Sequence, residues 1–412
     1  MLCGLGSGYE IFYFVAAGTP EEAWVKKFLP QKQQLSYRLA RGRTIENSSY
    51  TQIFGQSDLK RVIKANGIDA IFLTVNTEDA AYLKKIFRQL KVKLIGVDFN
   101  LSQKFENKIW FDNFCRRYQL PTPKSQIWRW QKKPLTLPGK IVLQEPESMG
   151  AEGTFFCQGE NDIKRLVKAG RVKTSQDYLA RQFVIGTPLG ITVLIAQDQI
   201  ALSAMRRQCY GADRVFLGIQ WLPQKYFSPA ELAAINAVFK KTAGALAGLG
   251  YRGLANIDFI LGKGARPYII ECNPRLSLAT NQVFKFPFLI NQLNAGQLMV
   301  QSVYGKNQKS NFKFYPVPKT DYAGSVLEIN IPPKTIASHQ PLGLYNQKMK
   351  FLTADIRQLA AKNQFYFITF VSDGEKFKNP DTIGQVVSSL PLFDFNGRLN
   401  FAGKKILKKF KL

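Results

Sequence analysis

The sequence predicts an α/β protein of several units, and three observations predict it. Residues 1–100 alternate apolar strand patterns with amphipathic helix patterns. Residues 254–277 read as two short strands of β-branched and aromatic residues around a turn. The chain's 412 residues, 45% hydrophobic and 13% aromatic, exceed one ordinary core and exclude a disordered chain. The expected organisation is an N-terminal α/β unit at 1–103, a central unit at 104–305 with a small lid near 128–180, and a small α+β appendage at 320–412.

At the start, YEIFYFVAAG reads as a strand, DLKRVIKANG as a helix stopped by glycine and IDAIFLTV as a buried strand. TEDAAYLKKIFRQLK follows as a helix with a threonine cap and an acidic first turn, and VKLIGVD as another strand. The early GLGSG precedes the first strand instead of following it, so it does not read as a dinucleotide fingerprint. Residues 101–127 read as one helix, carrying Lys108 and broken by P-T-P. KIVLQ and TFFCQ then flank EPESMGAEG as strands. Gly150 and Gly153 in that loop would let backbone N–H groups approach phosphate oxygens, although a plain hairpin would need them too.

YLARQFVIGTPLGITVLIAQDQIALSA reads as a strand, a turn at Ile185–Gly190 and two further strands. MRRQCYG concentrates Arg206, Arg207 and Gln208, fit either for anion recognition or for exposed surface. SPAELAAINAVFKKTAGALAGLG is a capped scaffold helix expected to pack on the strands of 254–277.

In LANIDFILGKGARPYIIECNPRLS, a hairpin closed symmetrically about GKGARP sets Asp258 opposite Glu271, with Asn273 on the same face. Ile257, Phe259 and Leu261 then form the buried face together with Ile270 and Cys272. Two like charges facing each other destabilise a sheet unless a cation offsets them. Two carboxylates and an amide are hard oxygen donors suited to Mg²⁺. Arg275, two residues on, is placed to meet an anion near that metal. The plainer alternative is a hairpin with a solvated carboxylate face.

D-F-x-L, a turn, then Y-I-I-E-C-N-P-R resembles the metal-binding end of the ATP-grasp enzymes, over roughly residues 104–300. The resemblance implies ATP with two Mg²⁺ ions: Asp258 holds one, Glu271 bridges both, Asn273 holds the second, and Arg275 contacts the transferred phosphoryl group. It also gives Lys108 and the QLPTP at 119–123 meaning, as the lysine helix and turn entering the catalytic unit. It assigns the nucleotide to Lys108, Gln144, Gly150, Gly153 and Thr154, with the backbone of Gln182, Phe183 and Val184 pairing with adenine. The chain departs from the family where Gln144 stands for a second lysine and where Arg181 and Pro188 stand for acidic residues. The implied activity is a ligase joining a small carboxylate to an amine, amino acids or peptides among them, through an acyl phosphate. A biotin-carboxylase-like enzyme and a decayed nucleotide- or polyanion-binding protein are the alternatives, and no Met-Lys-Met carrier sequence accompanies the chain.

The charge balance, 57 Lys and Arg against 29 Asp and Glu, gives +28 and attraction for nucleic acid or anionic surfaces. The basic residues are spread along the chain, which equally describes a general lysine bias. His339 is the one histidine and lies far in sequence from the metal hairpin, which disfavours histidine-dependent catalysis. Cys3, Cys115, Cys157, Cys209 and Cys272 are odd in number and lack zinc spacing, so reduced thiols and a cytoplasmic location are expected. No apolar run approaches membrane-spanning length, and the N-terminus lacks the basic segment of a signal peptide. Towards the end, a linker near 304–320 precedes strands in GSVLEINIP and QFYFITFV, a helix-like NPDTIGQVVSSL and a terminal helix in GKKILKKFKL. That last helix is expected to pack on its own domain, with anionic-surface binding as the alternative.

Overall fold

The computed structural model describes residues 57–72, 87–95, 99–132, 134–148, 153–211, 215–275, 277–304, 312–331, 340–355, 364–369, 381–394 and 396–410, with short pieces at 13–16, 26–27, 31, 34–37 and 85. The N-terminal strands pair in parallel, β1 (Tyr13–Ala16) with β2 (Gln34–Tyr37) and β3 (Ala70–Phe72) with β4 (Lys93–Ile95). Helix Ser57–Ala65 precedes β3, as the α/β alternation requires. GLGSG, Cys3, Gly150 and His339 lie outside the described residues.

The stretch expected as one helix is two, Phe99–Glu106 and Lys108–Arg117. Asn107 divides them: its Oδ1 accepts the Trp110 N–H at 3.0 Å and caps the second helix. Four antiparallel strands follow, β5 (Ser125–Trp128), β6 (Ile141–Gln144), β7 (Thr154–Cys157) and β8 (Tyr178–Gln182), in spatial order β5-β8-β6-β7. Helix Glu160–Lys168 buries Ile163 against Trp128, Leu143 and Tyr178, giving this lid a core of its own.

The main sheet has twelve strands: β9 (Gly186–Ile195), β10 (Gln199–Leu202), β11 (Arg206–Tyr210), β12 (Phe216–Trp221), β13 (Gly253–Gly262), β14 (Arg266–Asn273), β15 (Lys313–Tyr315), β16 (Ser325–Ile331), β17 (Gly343–Asn346), β18 (Phe351–Thr353), β19 (Gln364–Thr369) and β20 (Asp381–Ser388). Its main path runs β14-β13-β9-β11-β12-β16-β20-β19-β17-β18, so the C-terminal strands continue the sheet that bears the hairpin. One face packs Ile257, Phe259 and Ile191 on helix Pro229–Gly248, whose Phe239 meets Phe259 at 4.9 Å between ring centroids. Ser228 and Glu231 close that helix with a capping box. The other face packs Leu194, Ile219, Trp221 and Val326 on helices Leu278–Lys285 and Ala295–Tyr304.

Three further expectations change. The turn expected at Ile185–Gly190 is already strand from Gly186, where an added Cβ would lie 2.4 Å from the Leu261 carbonyl oxygen on β13. The linker near 304–320 contributes β15, parallel to β10. NPDTIGQVVSSL is strand β20 in its described part, not a helix. Its β-branched Ile383 and Val386 are buried, and pairing with β16 and β19 on either side overrides the local pattern. The terminal helix, Phe401–Phe410, buries Ile406 and Phe410 on its own domain as expected.

Candidate active site

The hairpin pairs Asp258 with Glu271 and Asn256 with Asn273, the register that symmetry about the turn requires. A bulge between Asp258 and Phe259 then shifts the ladder, so that Ile269 and not Ile270 joins the buried face. Asp258 is the most constrained group here. Burial first, then the Glu271 charge, push its carboxyl up to about 7, and Arg206 pulls the other way. Asn273 Nδ2 donates to Glu271 Oε1 at 3.1 Å and to Asp258 Oδ2 at 3.4 Å, so the three side chains converge on one point. Half a turn of the amide would present Oδ1 there instead.

Among the described residues no group of three His, Cys, Asp or Glu side chains gathers around a metal position. The donor set is therefore two carboxylates and one amide oxygen. This all-oxygen set, whose negative charge Arg206 and Lys108 offset only in part, fits Mg²⁺, with Asp258, Glu271 and Asn273 as the residues to hold it.

Arg206, an even choice between site and surface in the sequence, is buried beside Asp258. Gly190 makes this approach possible. It lies between the two in the sheet, paired with Asp258 on one side and Arg206 on the other. A Cβ there would sit 2.9 Å from Asp258 Oδ1 and 3.1 Å from Arg206 Cζ. Arg206 also donates to Thr192 Oγ1 at 3.1 Å and Asn256 Oδ1 at 3.2 Å. Burial lowers its guanidinium to about 10, and Asp258 opposes that shift.

Lys108 is buried on the first turn of its helix. Its Nζ donates to the Ser148 carbonyl at 2.7 Å and to Ser148 Oγ at 3.1 Å, and stands 4.0 Å from Glu271 Oε2. Burial lowers its pKa, and Glu271 is the foremost charge opposing the shift. The structure therefore brings Lys108, the loop carrying Ser148 and the carboxylate hairpin together. Arg275 Nε pairs with Glu106 Oε1 at 3.1 Å, which ties the hairpin's exit to helix Phe99–Glu106.

Under the lid, Gln144 is buried and faces Thr154, with Nε2 at 3.5 Å from Thr154 Oγ1. Gly153 has φ +63 and accepts the Glu145 N–H at 2.9 Å; a side chain there would strike Glu145 at 2.7 Å. Gln182 N–H donates to the Lys124 carbonyl and Phe183 N–H to that of Lys140. Of these three residues, Val184 is the one whose N–H makes no backbone hydrogen bond among the described residues.

Arg181 is buried among partners. Nη1 donates to Gln144 Oε1 at 3.1 Å and to the Ile270 carbonyl at 2.7 Å, and Nη2 pairs with Asp112 Oδ1 at 3.3 Å. Its Nε is buried without a partner. Asp112 also accepts Ser125 Oγ at 2.7 Å and Arg116 Nε at 3.0 Å, so the ion pair and its hydrogen bonds join three of these strands, β5, β6 and β8, to the Lys108 helix and β14. Sequence reasoning passed over Asp112; its place one helical turn after Lys108 was the available signal.

Residues 105–278 match the family model described as an ATP-grasp domain. The chain is 25% identical over 175 residues to a D-alanine–D-alanine ligase of Pelotomaculum thermopropionicum, a match covering 37% of this chain and 52% of that enzyme. The chain thus spans about half the length of that relative. The biotin carboxylase domain of Hydrogenobacter thermophilus 2-oxoglutarate carboxylase, solved with MgADP, ADP and bicarbonate, aligns with TM-score 0.63 and 11% identity over 93% of this chain and 87% of that one. An L-amino acid ligase from Bacillus licheniformis aligns with TM-score 0.58 and 15% identity over 97% of both chains. At these identities the structural likeness establishes the fold.

Proposed function

We propose that this chain, placed in the ATP-grasp superfamily by residues 105–278, is an ATP- and Mg²⁺-dependent ligase that joins a carboxylate to an amine. One observation carries the reading: two opposed carboxylates and an amide converge within reach of a buried lysine that also holds the lid loop. That combination suits a phosphoryl group held by cation and lysine together.

In the reaction, a carboxylate oxygen of the substrate takes the γ-phosphoryl group of ATP and ADP leaves. The amine nitrogen then attacks the acyl carbon, the carbon–oxygen bond to phosphate breaks, and the nitrogen loses a proton. Mg²⁺, two ions in this reading, would neutralise and align the phosphates when bound. Lys108 contributes a point charge at the phosphate, Arg275 meets the transferred group, and the loop around Gly153 closes over it. No step needs histidine.

The test is ADP release against a panel of amino acids and small carboxylates, with hydroxylamine as a trap and product masses recorded. Carboxylate-dependent hydroxamate supports the ligase. ADP released with bicarbonate, and no hydroxamate with any acid, would favour the carboxylase-like alternative. Silence throughout would remove both. Among the described residues no helix is long and apolar enough to cross a membrane.

A further inference from the structure

Asn256 stands two residues before Asp258 on β13, so the two side chains share a face of the sheet. Two residues further back on that face, Leu254 packs with Leu194 under helix Leu278–Lys285. Asn256 is only 2% exposed, and a buried amide costs stability unless both its acceptor and its donor positions are filled. They are filled on both sides. Oδ1 accepts from Thr192 Oγ1 at 2.8 Å and from Arg206 Nη2 at 3.2 Å. Nδ2 donates to the Arg275 carbonyl at 2.6 Å and to Thr280 Oγ1 at 3.5 Å.

These partners leave the amide one orientation. A guanidinium only donates, so the atom that faces Arg206 must be Oδ1, and the N–H groups are forced towards Arg275. Asn256 cannot turn over as Asn273 can.

The consequence falls on the turn that ends the hairpin, Asn273–Pro274–Arg275. Each of its carbonyls is engaged: that of Asn273 accepts the Arg275 N–H at 2.8 Å, that of Pro274 accepts Ser102 Oγ at 3.2 Å, and that of Arg275 is the one held by Asn256. The Ser102 contact ties the turn outwards to helix Phe99–Glu106. The Asn256 contact ties it inwards, to the strand that carries Asp258 and to Arg206, which lies across Gly190 from Asp258. One buried side chain thus links the arginine beside the carboxylates to the backbone of the arginine beyond them.

We propose that Asn256 is a positioning residue for the reaction: its amide, held in one orientation by Arg206, fixes the backbone from which Arg275 reaches the transferred phosphoryl group. The assignment rests on the ligase reading above. A guanidinium fork is directional, and moving such a group by about 1 Å costs on the order of 100-fold in rate.

The experiment compares the full-length wild type with Asn256→Asp, a substitution of nearly equal size. The new carboxylate keeps both acceptor contacts but turns an oxygen, in place of Nδ2, on the Arg275 carbonyl. ATP, Mg²⁺, hydroxylamine and the carboxylate that gives the wild type most hydroxamate are the reactants. In Asn256→Asp, kcat should fall roughly 10- to 100-fold, the loss of one buried hydrogen bond with its acceptor left unpaired, while the KM for ATP stays within about threefold. Combined with Arg275→Lys, the same substitution should cost less than about threefold, because an ammonium on a flexible stem gains little from a fixed turn. Asn256→Ser, shorter and uncharged, is carried through the same comparison, so that misfolding of one variant leaves the other to decide. An unchanged kcat, a loss carried by the KM for ATP, or equal losses with and without Arg275→Lys would each overturn the proposal. A wild type that forms no hydroxamate with any acid overturns the ligase reading and this assignment together, and is distinguished by the silence of the wild type itself.

Discussion

The carboxylate hairpin and the lid junction both gather charge below the surface, yet they resolve it in opposite ways. At the lid junction Arg181 finds an acid, a side-chain amide and a carbonyl, so positive and negative charge meet within the protein. At the hairpin two carboxylates face each other, and Arg206 only partly offsets their repulsion, leaving Asp258 well above the ordinary carboxylate range. The lid junction, one guanidinium nitrogen aside, pairs its charges and locks elements together; the hairpin leaves its charge incompletely paired and has capacity for a ligand. The difference separates framework from site without reference to any family.

That contrast can be broken from either side. The largest effect is expected at the hairpin, where Glu271→Gln should lower carboxylate-dependent ADP release by about 1,000-fold or more, given the weight of preorganised charge in phosphoryl transfer. Circular dichroism should show the fold retained, and near-wild-type turnover would remove Glu271 from the metal site. At the lid junction the effect should fall on stability. Arg181→Met strands Asp112 with only Ser125 and Arg116, and should cost about 3 kcal/mol in denaturant unfolding. A loss below about 1 kcal/mol would mean that the pair is no lock.

Gly190→Ala pushes a methyl between Asp258 and Arg206, where both neighbours must move. A cost of about 1–3 kcal/mol, with weakened Mg²⁺ dependence of turnover, is expected. Unaltered stability and metal dependence would show that the two side chains yield freely. The smallest and most diagnostic effect concerns pH. The folded-state pKa of Asp258 is raised, so its carboxyl contributes most below its unfolded value near 4 and that contribution is lost as pH rises towards about 7. Asp258→Asn does not titrate, so without Mg²⁺ its stability should gain on the wild type across that interval, by about 1–3 kcal/mol at the upper end. A pH-independent difference between the two proteins would contradict the burial of an incompletely compensated pair.

The hairpin was legible because both of its determinants are local. Strand alternation fixes the face, and a short turn fixes which residues oppose, so Asp258 and Glu271 could be paired from spacing alone. The bulge was not legible, since Ile269 and Ile270 are identical side chains and either satisfies the buried face. Arg206 stayed undecided because its neighbour Gly190 is sixteen positions away, and the gap between them exists only once β9 and β11 pair. Strand β20 was misread for a related reason. One partner, β16, begins far back in the chain, and nothing within NPDTIGQVVSSL announces it or the other, β19. Lys108 carried meaning only through resemblance, for a lysine's burial depends on what folds over it.

The sheets themselves set a limit on independent motion. The strands β5 to β8 form a separate four-stranded sheet with its own core, whereas β16 and the strands beyond it are hydrogen-bonded into the sheet of the hairpin. Amides of the lid can therefore exchange with solvent deuterium through a partial opening that leaves the rest intact, while those of β16 and β20 are released mainly when the whole sheet comes apart. The Asp258–Glu271 hairpin would then hold its geometry while the four-stranded sheet opens and recloses.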